Sequence, residues 1–302
     1  MAPVVPEQRP GSAVERPPVG DVALMTVAIA AVSTAGPMIA AAAAPLLAVA
    51  FWRNALSSGV LLPLALTRFR RELTAMERRT WGLALLAGVF LALHFGTWIS
   101  GLAFTTVASA VALVCTQPVW AALIARLRGE WVPPQAWFGI ALAVAGAALL
   151  TGVDAAVSPQ ALAGDLLGVA GGVFGAAYVT AGGQVRRTVS TTIYTAVCYG
   201  TAAVLLLGVC LAARLPLVGY PAATWGLLLA VTAGPQLLGH TLFNRVLQTT
   251  RPTIVSLAML LEVPGAALIA ALWLGQAPPA AAVPAAVLLL AGVAAVVTTR
   301  RR

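Results

Sequence analysis

Ten apolar stretches follow one another almost without pause, at roughly 22–43, 46–66, 81–101, 105–126, 134–152, 163–184, 190–212, 222–244, 253–274 and 280–298. About twenty apolar residues are what an α-helix needs to cross the hydrocarbon of a bilayer. Inside that hydrocarbon every backbone N–H and C=O must be satisfied within the protein, which leaves helices and closed barrels as the spanning structures. Runs of this length predict an all-α membrane protein with ten transmembrane helices. Composition agrees, with 60% hydrophobic and only 9% charged residues, against about 25% charged in a soluble domain.

The net charge of +9 does not point to nucleic acid, because the basic residues have another explanation. No lysine is present, and all 18 basic residues are arginines. With the N-terminus in the cytoplasm, sixteen of them fall in the tail, in cytoplasmic links or at the C-terminus: Arg9, Arg16, Arg68, Arg70, Arg71, Arg78, Arg79, Arg126, Arg128, Arg186, Arg187, Arg245, Arg251, Arg300, Arg301 and Arg302. Arg214 falls outside, and Arg53 falls within the second helix. Arginine and lysine accumulate on the cytoplasmic side of membrane proteins. Both termini are therefore expected in the cytoplasm, which requires an even number of helices. The expected location is a bacterial inner membrane, with the lipid bilayer as the protein's partner and no role for nucleic acid.

Residues 1–20 carry Pro3, Pro6, Pro10, Pro17 and Pro18 and read as a disordered cytoplasmic tail. A cleaved signal peptide is the competing reading, since AAAAP at Ala41–Pro45 resembles a cleavage site. The apolar run before it is too long for a signal sequence. Cys115, Cys198 and Cys210 lie in apolar runs and suit neither a metal site nor a disulfide framework.

The chain also repeats itself. AALIARLRGE (Ala121–Glu130) matches AALIAALWLGQ (Ala266–Gln276) with one residue inserted. TQPVW (Thr116–Trp120) aligns with LEVPG (Leu261–Gly265), and AVAG (Ala143–Gly146) with LLAG (Leu289–Gly292). The offset, about half the helical part of the chain, places five helices in each copy: 21–152 and 163–299. A repeat with an odd number of helices must be inverted in the membrane. The first copy of the motif keeps its arginines, as a cytoplasmic end should, and the second lacks them. Inverted repeats are common in secondary transporters, whose sites lie near the midplane at the repeat interface.

At this point the chain resembles the EamA branch of the drug/metabolite transporter superfamily. The resemblance rests on FWRN (Phe51–Asn54), on LHFGTWISGLAFTTVASAVALVCTQPVWAALIARLRGE (Leu93–Glu130) and on LGHTLFNRVLQTTRPTIVSLAMLLEVPGAALIAALWLGQ (Leu238–Gln276). It implies ten helices, an inverted repeat, a central cavity and export or exchange of small metabolites. Two departures stand out. The usual Glu-Pro of the second repeat is Glu262-Val263-Pro264 here, and its closing Gly-Glu is Gly275-Gln276.

Glu262 reads as the lone interior carboxylate, because the other acids fall in the tail or at predicted loop and helix ends. A charge at bilayer depth costs roughly 2.5–3.5 kcal/mol, so such a residue faces a cavity or a partner. Three readings stay open: a proton or cation site in a transport cycle, a contact for the substrate, or a structural partner of Arg53 or of a helix end. Arg53 in turn either pairs with Glu262, binds an anionic substrate, or snorkels to the headgroups.

His94 and His240 are the two histidines, and the repeat offset makes them equivalent to within one residue. They either line the pathway, where an imidazole can move protons, or are ordinary hydrogen-bonded core residues. Gln117 holds the slot that Glu262 holds in the second copy. Trp98 and Asn244 each lie four residues beyond a histidine and share its face. Tyr178 and Tyr199 are candidates for the cavity wall, alongside Trp52 and Phe95, and Tyr199 is the equivalent of Arg53. Gly164, Gly168 and Gly172, with Gly171 and Gly175, form a small-residue face suited to close helix packing. No spacing supports a metal site, and no cofactor is expected.

The expected function is transport of small metabolites or drugs by alternating access, in the direction of export and with protons as the coupling ion. The alternatives are an uncoupled uniporter or exchanger with Glu262 structural, and a non-transporting membrane interaction protein; a homodimer stays open. A membrane-embedded enzyme is argued against by the single interior carboxylate.

Overall fold

The computed structural model describes residues 18–129, 131–186, 188–246, 258–278, 280 and 282–298, without the side chains of Asn244 and Val297. All regular structure among them is helical. In chain order the helices are α1 (Val19–Ser33), α2 (Ala35–Ala41), α3 (Leu46–Arg68), α4 (Arg70–Ala75), α5 (Arg78–Gly101), α6 (Val107–Val114) and α7 (Gln117–Leu127). Then come α8 (Pro134–Val157), α9 (Ala161–Val185), α10 (Thr191–Ala212), α11 (Ala222–Val231), a π-helical segment (Thr232–Gly239), α12 (His240–Val246), α13 (Glu262–Leu274) and α14 (Ala282–Thr298). The expected tail lies outside the described residues up to 17, and its last two residues already belong to α1.

Eight candidate spans are long and apolar enough to cross a membrane: Val19–Ala41, Leu46–Arg68, Arg78–Gly101, Val107–Leu127, Pro134–Val157, Ala161–Val185, Thr191–Ala212 and Ala222–Phe243. Two shorter apolar helices, Glu262–Leu274 and Ala282–Val296, occupy the places of the ninth and tenth runs. The surface is inside-out by the standard of a soluble protein. Leu272 is 80% and Phe138 68% exposed, while Arg53 is 1% and Asp165 0% exposed. Such a surface suits lipid and not water.

Several spans are broken, and proline explains where. A proline has no N–H and clashes with the carbonyl four residues back, so it fits the first turn of a helix and disrupts an interior. The first span breaks at Thr34, ahead of Pro37. The fourth breaks at Cys115 and Thr116, so that Pro118 falls in the first turn of α7. The expected continuous helix over Thr253–Gln276 also breaks: α13 starts at Glu262, with a turn at Leu260 and Leu261 before it and Pro264 in its first turn. Pro235 sits inside the π-helical segment.

The packing partners repeat between the two copies. α5 packs on α9, and α1 packs on the π-helical segment and α12; α3 packs on its equivalent α10, and α8 on its equivalent α14. The last pair is the tightest. Gly139 faces Gly292 and Val296, Gly146 faces Leu289, and Gly292 faces Ala143. Rising numbers on α8 meet falling numbers on α14, so these equivalent helices run antiparallel, as an inverted repeat requires. The contact is also reciprocal, because the offset that carries Gly146 to Gly292 carries Ala143 to Leu289.

Candidate functional site

Two half-helices begin at equivalent positions. Gln117 is the first residue of α7 and Glu262 the first residue of α13. The free N–H groups and positive dipole end of a helix favour a carboxylate there. Thr116 organises the first break: its hydroxyl donates to Leu113 O at 2.6 Å and accepts from Trp120 Nε1 at 3.0 Å. The displaced proline changes little in this arrangement, since Pro118 and Pro264 both lie where no backbone N–H is needed.

Arg53 projects from α3 into the interior and is fully buried. Its Nε donates to Gln236 Oε1 at 2.7 Å, and its guanidinium lies 4.2 Å from the ring centroid of Phe95. Gln236 also approaches Asn54 Oδ1 with its Nε2 at 3.4 Å, and Asn54 Nδ2 donates to Ala50 O at 2.8 Å. Arg53 thus does not snorkel. One guanidinium nitrogen, Nη1, is buried without a hydrogen-bond partner among the described residues. The Arg53 charge interacts through space with Tyr199 and Glu262.

The histidines come together with this group. His94 Nδ1 lies 2.8 Å from Gly171 O, so Nδ1 carries the proton and donates to the carbonyl. Both His94 and His240 lie in the field of Arg53, and His240 in that of His94. His94, His240, Gln117 and Glu262 are all half-buried. Trp98 lies on the His94 face, with ring centroids 6.4 Å apart, and its buried Nε1 has no hydrogen-bond partner among the described residues. Tyr199 is buried near Arg53, whereas Tyr178 stacks on Tyr194 at 6.1 Å. Asn244 belongs to α12, but its side chain is outside the described residues.

The glycines of α9 set these positions. A Cβ on Gly171 would lie 2.6 Å from Trp98 Cβ, and one on Gly175 would lie 2.6 Å from Gln117 Cδ and 2.9 Å from His94 Nδ1. Gly168 faces Leu113 and Gly172 faces Thr116. The small-residue face is therefore a packing face, and it holds α5, α6 and α7 close enough to share one site. Gln276 stands where the resemblance leads one to expect an acid. Its Oε1 accepts from Val107 N at 3.2 Å, so the amide supplies the acceptor at the start of α6.

Three buried polar residues were missed in the sequence: Gln236, Asp154 and Asp165. Gln236 lies four residues before His240, a polar position in an apolar run that periodicity alone could have raised. Glu262 is also not the lone interior carboxylate: Asp154 is 4% and Asp165 0% exposed. They sit near helix ends, but the ends are covered. A Cβ on Gly164 would lie 2.8 Å from Gly101 O and from Thr105 N, so the turn after α5 closes over Asp165. Among the described residues, no group of three or more His, Cys, Asp or Glu side chains is placed to hold a metal ion.

No curated protein matches the chain. A solved crystal structure matches with a TM-score of 0.63 at 22% sequence identity, covering 92% of this chain and 97% of its own, a likeness of fold. The sequence profile of the EamA-like transporter family matches twice, over residues 19–152 and 162–298, so that nearly all of the helical chain is accounted for by two copies of one unit. The chain belongs to the EamA-like transporter family and is an integral membrane protein of the drug/metabolite transporter type.

Proposed function

We propose that the protein exports small metabolites or drugs across a bacterial inner membrane by alternating access, with proton coupling. In this reading ten helices form two inverted five-helix repeats with both termini in the cytoplasm. The observation that carries it is the pairing of Gln117 and Glu262 at the starts of equivalent half-helices, with Arg53, His94 and His240 around them. Discontinuous helices at a repeat interface are where secondary transporters place substrate and coupling ions. The unpartnered Arg53 Nη1 and Trp98 Nε1 are donors open to a substrate carboxylate or carbonyl.

Family membership, rather than a count of acids, now speaks against an intramembrane enzyme, since Asp154 and Asp165 add two buried carboxylates. A second reading keeps Glu262 structural. Its place at the first position of α13 stabilises a carboxylate whether or not transport is coupled.

Reconstitution into liposomes with a panel of amino acids, nucleosides and cationic drugs tests the proposal. Uptake or counterflow that responds to a pH gradient, and a Glu262→Gln variant that still exchanges substrate but ignores the gradient, is the expected result. A gradient response that survives Glu262→Gln leaves Glu262 structural. No movement of any solute under any gradient overturns the transport reading.

A further inference from the structure

At the end of the bundle away from Arg68–Arg79, Arg126 and Arg128, five oxygen-bearing side chains converge from four segments. Asp154 and Thr151 come from the last turns of α8, Asp165 from the first turns of α9, Ser109 from α6 and Thr105 from the turn after α5. Thr105 is a side-chain neighbour of both carboxylates, Ser109 of Asp154 and Thr151 of Asp165. Both oxygens of Asp165, the Oδ2 of Asp154 and the hydroxyl of Thr105 are buried without a well-formed hydrogen bond. The two aspartates act on each other through space, and no arginine or histidine is among the groups acting on either.

A buried polar group is ordinarily hydrogen-bonded, and a buried charge is ordinarily paired or bound to a metal. Here two buried carboxylates have hydroxyls as neighbours, and among the described residues no positively charged group acts on either. The donors are all hard oxygens, the set chosen by small, hard cations and avoided by softer ones. The two carboxylates have the Thr105 hydroxyl as a common neighbour. Two acids suffice for such a site when hydroxyls complete the shell.

We propose that Asp154 and Asp165, with the hydroxyls of Thr105, Ser109 and Thr151, bind one small, hard, oxygen-seeking metal cation at this end of the bundle. The site is separate from the Glu262 group and stands whether or not that group couples protons. Binding ties α8 and α9 to the turn after α5. It thereby joins the helix on each side of the link between the two repeats, and the cation stabilises the folded state by mass action.

The test uses the full-length protein, purified in detergent and stripped with a chelator. Thermal unfolding is followed during separate titrations with CaCl2 and with NaCl, choline chloride holding ionic strength constant. The expected result is a saturable rise in Tm with one of the two cations, which also identifies the ion. Asp165→Asn removes an uncompensated charge, so it should match or exceed the wild-type Tm without cation and show no saturable rise. Thr105→Val keeps both acids and should weaken the apparent affinity about tenfold. Two results overturn the site: no saturable rise with either cation, or a rise that Asp165→Asn and Thr105→Val leave unchanged.

Discussion

Arg53 and Gln236 stand 183 positions apart in the chain and meet through a hydrogen bond of 2.7 Å that the Nε of a fully buried guanidinium donates. A hydrogen bond to a charged group contributes about 1.5–3 kcal/mol, and leaving the charge unpaired costs more. Gln236→Leu should therefore lower stability by about 2–3 kcal/mol. Gln236→Glu keeps the acceptor and should recover most of the loss. Thermal unfolding of both variants in detergent checks this, and a stable Gln236→Leu protein would show that Arg53 rests on other contacts.

The contact between α8 and α14 is made largely backbone to backbone, and Gly146 has the main chain of Leu289 against it where a Cβ would go. Gly146→Ala should cost several kcal/mol or prevent folding, because the facing atoms are main chain and cannot yield. Gly152, on the same helix, has nothing within 4 Å of its Cβ position. Gly152→Ala should be neutral or stabilising by about 0.5–1 kcal/mol. Yield and Tm of the two variants, measured together, separate the close approach from a general effect of glycine.

Gly175→Ala presses on the ends of Gln117 and His94, which are side-chain atoms and can swing aside. Folding should survive, with a loss of about 1–2 kcal/mol. The effect should fall instead on transport, where apparent substrate affinity changes while expression does not. Equal transport by Gly175→Ala and wild-type protein in liposomes would remove Gln117 and His94 from the site.

On the arginine-rich side, Glu72 of α4 accepts from the backbone N–H of Ser190 at 2.5 Å, while Ser190 caps α10 through its own hydroxyl. The bond joins the two repeats. Glu72→Ala removes the anion from a helix start and should cost about 1 kcal/mol. Its local signature is faster amide exchange over the first turn of α10, with the core of α3 and α5 unaffected.

The helices themselves were legible because length and hydropathy are local properties. The repeat was legible because AALIA recurs. The group around Glu262 was legible in part: the offset pairs His94 with His240 and Gln117 with Glu262, and symmetry-related positions converge near a repeat interface. What Arg53 contacts was not legible, since Gln236 reaches it across nearly two hundred residues and from a π-helical segment that hydropathy does not register. Asp154 and Asp165 were misplaced for a similar reason. A helix end looks solvated in sequence, and only the closeness of Gly164 to the turn at Thr105 covers it.

The glycine-lined crossing of α8 and α14 has a mechanical consequence. Because Gly146 opposes Leu289 while Gly292 opposes Ala143, exchanging the roles of the two repeats exchanges these two main-chain contacts for one another. In the alternating-access cycle proposed above it would serve as the pin of a pair of scissors: the blades would exchange open and closed ends, and the pin would not have to be remade. Two conformations related by that swap would share the main-chain part of this contact, and differ there only in the side chains of Ala143 and Leu289. The balance between them would then be set by the places where the repeats are unlike, such as Glu262 opposite Gln117.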